Sequence, residues 1–321
     1  MRWRWSHIAW SCAALAALSA CDPFGPAPPD TKPQARPAQL GAVAPVTPAG
    51  PSAEARDLQR YYARVQEGLL VRGLLRVDGG GVDTPFTDVM LARNFEQIAL
   101  GEEYARGAGL RPSNGALGAI KKWVSPVRVA VTFGDSISDE VKTNDRRTLA
   151  AYTQRLARVT GHPISFVSSQ PNFHVLVMGA DDRAQLDAAL TRIAPGMEAS
   201  SQSIFLNLPR PIHCLVVAFS SPGADNAYTQ AVALVRSEHP ELTRRACYHE
   251  ELAQGLGLAN DDPNARPSIF NDDEEFALLT THDEMLLKML YSPRLQPGMT
   301  ADQARPIVRT LTAEVTGGGQ S

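Results

Sequence analysis

Leu242–Phe270 reads LTRRACYHEELAQGLGLANDDPNARPSIF. Leu252, Leu256 and Leu258 fall roughly on one face, so its first half predicts an amphipathic helix laid on a core. Within it sit Glu250-Glu251-Leu252-Ala253-Gln254, then Gly255-Leu256-Gly257-Leu258 and Asn260-Asp261. Residues four apart share a helix face, so Glu250 and Gln254 point the same way. The rest of the chain is organised around this stretch.

The stretch resembles the long motif of the metzincin and matrixin-type zinc peptidases, His-Glu-x-x-His-x-x-Gly-x-x-His, with its three histidines replaced. Glu250 stands at the first His, Glu251 at the catalytic Glu, Gln254 at the second His, Gly257 at the helix-ending Gly and Asn260 at the third His. Ser268-Ile269-Phe270 is similar to the Ser-Ile-Met turn beneath the metal. Leu279-Thr280-Thr281-His282-Asp283, followed by Leu290-Tyr291, is similar to the closing helix of matrixins. More narrowly, residues 85–300 resemble a family of uncharacterised proteobacterial lipoproteins carrying Glu-Glu-x-x-Gln-x-Leu-Gly-Leu. The resemblance implies a zincin-like α/β (α+β) fold: a mixed sheet with packed helices, a central motif helix and extra N-terminal helices. It also implies that Glu251 is the general base if any metal-bound water exists.

Composition fits a globular protein of one large or two small domains. The 321 residues are 44% hydrophobic, and a formal charge of -3 excludes a basic nucleic-acid surface. Residues 1–20 read as a secretory signal, with Arg2 and Arg4 before an apolar run from Ile8 to Leu18 that is too short to span a bilayer comfortably. Leu18-Ser19-Ala20-Cys21 resembles the bacterial lipobox, which implies a lipidated Cys21. Asp22 after it resembles an inner-membrane retention signal, so a periplasm-facing, inner-membrane lipoprotein is expected. Residues 21–51, rich in Pro and Ala, cannot bury enough apolar surface to fold and read as a tether.

Residues 52–118 read as an N-terminal helical segment. Ser52 is a candidate N-cap, Leu58, Tyr61, Tyr62, Val65, Leu69 and Leu70 follow at helical spacing, and a second helix spans 87–106. From 119 to 308 strands alternate with helices: strands at 127–133, 173–178, 214–219 and 228–235, and helices at 145–160 and 182–193, before the motif helix. That order is an α/β layout with a mixed sheet, the zincin-like domain, and 309–321 are expected to be a flexible tail. Cys214 and Cys247, outside the cytoplasm, are most simply a disulfide joining strand to helix.

The donor set argues against zinc, which prefers imidazole and thiolate; Gln254 and Asn260 offer neutral amide oxygens. No metal or other cofactor is expected. The oxygens of Glu250, Gln254, Asn260 and Asp261 suit a hard cation in principle. The simpler arrangement has Gln254 and Asn260 donate N–H to Glu250. Glu251 in a partly apolar cleft is expected to have a raised pKa. Phe133-Gly134-Asp135-Ser136-Ile137-Ser138 is similar to the nucleophile block of Gly-Asp-Ser esterases, but no His in the chain has Asp three residues before it. Asn271-Asp272-Asp273-Glu274-Glu275 reads as acidic capping of the next helix. The expected function is an envelope lipoprotein whose zincin-like domain has lost its zinc ligands. It would be a non-catalytic binding or scaffolding protein, anchored to a membrane, with a peptide or cell-wall strand as ligand and no nucleic-acid partner. The alternative is a metallopeptidase-like hydrolase with non-standard ligands and Glu251 as base.

Overall fold

In the computed structural model the described residues are 50–103, 110, 111, 113–220, 223 and 226–317. The signal segment, Cys21, Asp22 and the tether up to 49 lie outside them. From Gly50 onward the chain forms one compact unit. None of its described helices is long and apolar enough to cross a membrane.

Among the described residues the sheet has six strands: β1 (Lys122–Trp123), β2 (Val127–Phe133), β3 (Ile164–Phe166), β4 (Phe173–Met178), β5 (Cys214–Ser220) and β6 (Ala227–Arg236). β3, β2, β4 and β6 run parallel in that spatial order. Tyr228 pairs with Trp123 of β1 and also with Ser220 of β5, so those two strands take opposite edges of β6. β5 is antiparallel to β6, and among the described residues its only strand partner is β6. It is therefore an edge strand, the one antiparallel member of a mixed sheet.

Both faces of the sheet are covered, which is why β4 and β6 read as continuous apolar runs. Val175 and Val177 of β4, with Ala231, Ala233 and Val235 of β6, enter the main core. The intervening Leu176, Met178, Val232 and Leu234 enter a second core with Leu186, Leu190 and Phe205. The main core holds α2 (Asp88–Leu100), α3 (Asp139–Thr160), α6 (Glu241–Leu256), α7 (Thr281–Leu290) and α8 (Ala301–Val315). The second core is closed by α4 (Arg183–Ile193) and α5 (Ala199–Leu206). α1 (Ala53–Val71) is capped by Ser52, whose hydroxyl accepts from the Ala55 amide.

Several boundaries differ from expectation for local reasons. α2 ends at Gly101 rather than running on to 106; residues 104–109 lie outside the described set. α3 begins six residues before Asp145, because Ser138 supplies an N-cap and Asp139 and Glu140 occupy its first turn. Residues 309–315 are not a tail: they finish α8, where Leu311 and Thr312 are buried. α2 shares the main core, so the N-terminal helical segment is no separate body.

Candidate functional site

α6 is fixed by packing that only particular residues allow. A Cβ on Gly255 would stand 2.4 Å from the Phe173 ring, so glycine lets the helix settle on β4. Its carbonyl accepts a 2.8 Å hydrogen bond from the Trp123 indole. Gly257 ends the helix at φ +124°, where an L side chain would also meet the Lys121 carbonyl. Cys247 bonds to Cys214 with S–S 2.02 Å, fastening α6 to the edge strand four residues before Glu251, as expected from the cysteine arithmetic. The turn at Ser268-Ile269-Phe270 is tied to α7: Asp283 accepts from the Ser268 hydroxyl, the Ile269 amide and both donors of Thr280.

A cleft of about 870 Å³ opens between β5 and α6. Every residue from Cys214 to Ser220 lines it, as do Glu250, Glu251 and Gln254 of α6. Leu69 and Leu75, from α1 and the segment after it, add apolar wall. Among the described residues the lining carries seven carboxyl groups against one lysine, Lys121, and one histidine, His213. Lys121 is paired with Glu102. Burial, then Arg236, pushes the His213 imidazole below its ordinary value, so it stays neutral.

The acidic groups converge through backbone contacts remote in sequence. The Glu103 amide donates to the Ala259 carbonyl, and the Asn260 amide to the Ile98 carbonyl, which sets the end of α2 beside Asp261. Leu75 and Arg76 donate to the Glu274 and Glu275 carbonyls, which carries Glu274 to the cleft. The acidic run 272–275 is thus not the cap of α7, which starts at Thr281 with its own Thr280–Asp283 capping box. Asp272 and Glu274 line the cleft, and Glu275 pairs with Arg76 and Arg266. This clustering joins four separated segments, a juxtaposition that sequence reasoning missed; the charge excess at Glu102-Glu103 and 272–275 was its only trace.

Glu251 is 2% exposed, and among the described residues its Oε2 has no hydrogen-bond partner, nor has Asp261 Oδ1. Desolvation, followed by repulsion from Glu250, Glu103 and Asp261, holds Glu251 well above the usual carboxylate range. Desolvation and then Asp261 do the same to Glu250. Desolvation and then Glu103, Asp272 and Glu274 push Asp261 up to about 8.

The expected network does not form. Asn260 donates to the carbonyls of Gln97 and Asp261, not to Glu250, and no hydrogen bond joins Gln254 to Glu250 among the described residues. With its amide turned away, Asn260 cannot complete a zinc cage with Glu250 and Gln254. Among the described residues, the metal-type donors that gather are Cys214, Glu250 and Glu251, with atoms within 4.8 Å of one another. Cys214 is consumed by the disulfide, which leaves two carboxylates, too few for the four N, S or O ligands zinc requires. The residues present do not fit a zinc ion. His249, next in sequence, lies on the back of α6: its ring stacks on Tyr152 at 3.8 Å and its Nδ1 accepts from the Leu279 amide. Burial, then Arg155 and Arg245, lowers it to about 3.

Ser136, the candidate esterase nucleophile, donates its hydroxyl to Asp182 at 2.7 Å, and its amide donates to the same carboxylate. A Cβ on Gly134 would collide with that carboxylate, so the Gly-Asp-Ser block is a seat for Asp182 at the start of α3 and α4. A serine held by an acceptor alone has no base to activate it.

A family model described as protein of unknown function, DUF2927, matches residues 88–310, most of the chain and all of the cleft apart from the Leu69 and Leu75 wall. No curated protein and no solved structure matches.

Proposed function

The chain belongs to that family, and we propose that its cleft is a non-catalytic binding site for an extended polypeptide, which adds as a strand to the outer edge of β5. One observation carries the reading: among the described residues β5 is an edge strand, and its whole length lies in the cleft. An unpaired edge offers a row of backbone donors and acceptors, and a neighbouring strand is the ligand that satisfies them. Side chains of such a ligand alternate between the two cleft walls. One wall is α6; the other is formed by Ile204, Phe205 and Ile212 of the second core.

The finer reading is a zincin-like domain with its metal chemistry dismantled. Support comes from the motif correspondence at Glu250, Glu251, Gln254, Gly257 and Asn260, and from a donor set that does not suit zinc. The chain is further proposed to be an envelope lipoprotein, tethered through Cys21 and facing the periplasm. The lipobox-like sequence supports this, as does a disulfide of the kind that persists in oxidising compartments.

The test is amide hydrogen exchange on the full-length protein with and without a pool of neutral nine-residue peptides. Strand addition predicts slowed exchange concentrated in Val216–Phe219, abolished when alternate peptide amides are N-methylated. Binding indifferent to N-methylation would remove strand addition. One zinc per chain, with peptide hydrolysis lost in Glu251→Gln, would replace the binding protein with an enzyme. A Cys21→Ser chain that still partitions into membranes like the parent would remove the anchor.

A further inference from the structure

We infer that the acidic end of the cleft receives a basic side chain, lysine or arginine, of the bound strand, with its cation set among Glu250, Glu251 and Asp261. The inference rests on the strand-binding reading and names the residue class that reading leaves open. Acidic clusters are common on solvated surfaces, but this one includes a buried carboxyl. Glu251 is 98% buried, lines the cleft and has an oxygen without a partner. Asp261, also on the cleft lining, has a second buried oxygen with no partner among the described residues. A buried acceptor left unsatisfied costs about 1–3 kcal/mol, and more when charged. A ligand bringing a hydrogen-bonding cation removes that cost for both groups at once.

The geometry separates a side-chain cation from a metal ion. Calcium takes six to eight oxygens in one shell and zinc about four donors. Here only Glu250 and Glu251 approach closely, the third donor being a disulfide sulfur. An ammonium with three donors, or a guanidinium with five in a fork, can serve acceptors that are too dispersed for one ion. The long stem needs apolar wall, and Leu69, Leu75 and Ala246 line the approach. The one lysine on the lining is already matched to Glu102. Neither it nor neutral His213 supplies the missing cation.

The experiment uses the full-length protein and three pools of acetylated, amidated nine-residue peptides. The pools are randomised over uncharged residues, with Lys, norleucine or Glu fixed at the centre. We expect the Lys pool to bind at least tenfold tighter than the norleucine pool, with the Glu pool weakest. Glu251→Gln and Asp261→Asn should each cut the ratio of Lys to norleucine affinity to about threefold or less. Thermal melts of both variants establish that they are folded. If norleucine binds as tightly as Lys, the cation inference fails; loss of that binding on peptide N-methylation would show that strand addition survives on its own. If no pool binds, the cleft reading fails and takes the inference with it. Saturable binding of calcium or zinc by the parent protein, lost in Glu251→Gln, overturns the inference in favour of a metal site.

Discussion

The two faces of α6 treat buried charge in opposite ways. On the face toward α3, Asp145 accepts from Arg244 Nε at 2.6 Å, Arg244 Nη2 at 3.1 Å and the Tyr248 hydroxyl at 2.7 Å. Arg244 also donates to the His239 carbonyl, so every strong group there has a partner. On the face toward β5, Glu250 and Glu251 stand side by side and an oxygen of Glu251 has none. A satisfied network inside a core fixes a fold, whereas a concentrated deficit facing a cleft is a place for a ligand. Sequence alone cannot separate the two, since Arg244, Tyr248, Glu250 and Glu251 are all polar or charged residues within eight positions of one helix.

The first way to break the comparison is to empty the satisfied face. Asp145→Ala leaves the Arg244 cation buried without its carboxylate, and removing one partner of a buried pair costs about 3–5 kcal/mol. Urea denaturation should show a loss of that size. A change under about 1 kcal/mol would mean that the network is not the anchor of α6. Next comes the link between helix and edge strand. Replacing Cys214 and Cys247 together by alanine releases a closed loop whose chain-entropy value is about 3–4 kcal/mol. The same loss should appear in the parent protein under reducing conditions, and a reduction-insensitive melt would deny the disulfide any part in stability.

Titration sharpens the comparison further. Asp261 is raised to about 8 by burial and by Glu103, Asp272 and Glu274, and Glu250 and Glu251 are raised too. A raised carboxyl keeps in the folded state a proton that the unfolded chain has lost, so its contribution falls as pH rises from about 4 through the folded value. His239 and His249, lowered to about 3 by burial, act the other way: they cost stability as pH falls below about 6.5. Lys121 and Lys122, lowered to about 8 by burial, cost the folded state stability, a cost relieved only as pH rises beyond that value. Between pH 6.5 and 8 the carboxyls act with little opposition. Stability should fall there by up to about 1.4 kcal/mol per pH unit for each of them. Asp261→Asn should flatten the decline, and a flat or rising profile in the parent would contradict the buried acidic cluster.

Legibility followed where the physics is local. β4 was readable to the residue because residues 175–178 form an apolar run, β2 because Val127, Val129 and Val131 alternate along it, and Ser52 because a cap is written in the residue itself. The pairing of Cys214 with Cys247 followed from there being one plausible pair. β1 and β3, two and three residues long, carry no period to detect. α8 is obscured by Pro306, which sits in its sixth position. The motif helix and its cleft-facing acids were visible, but not the turning of Asn260 toward Gln97, which depends on where α2 ends. Nor could the sequence bring Glu103, Asp272 and Glu274 to Asp261, since long-range backbone pairing does that.

The smallest expected effect is the most discriminating. Glu251→Gln keeps size and shape and removes the possibility of charge. On a satisfied face such a change breaks hydrogen bonds and destabilises; at Glu251 one oxygen has no bond to lose. Desolvation, then Glu250, raises the carboxyl well above the usual range, so its ionisation opposes folding. A neutral amide escapes that penalty, so the variant should be within about 1 kcal/mol of the parent near pH 6. At pH 8 it should be equal or more stable, because ionisation costs the parent more as pH rises. Paired chemical denaturation at the two pH values gives the answer. A loss of 3 kcal/mol at both would place Glu251 in the same class as Asp145, a structural carboxylate whose partner is essential to the fold, and the asymmetry of α6 would vanish. A gain that grows with pH would instead mark Glu251 as a group kept at the expense of stability, as expected of one retained for what enters the cleft.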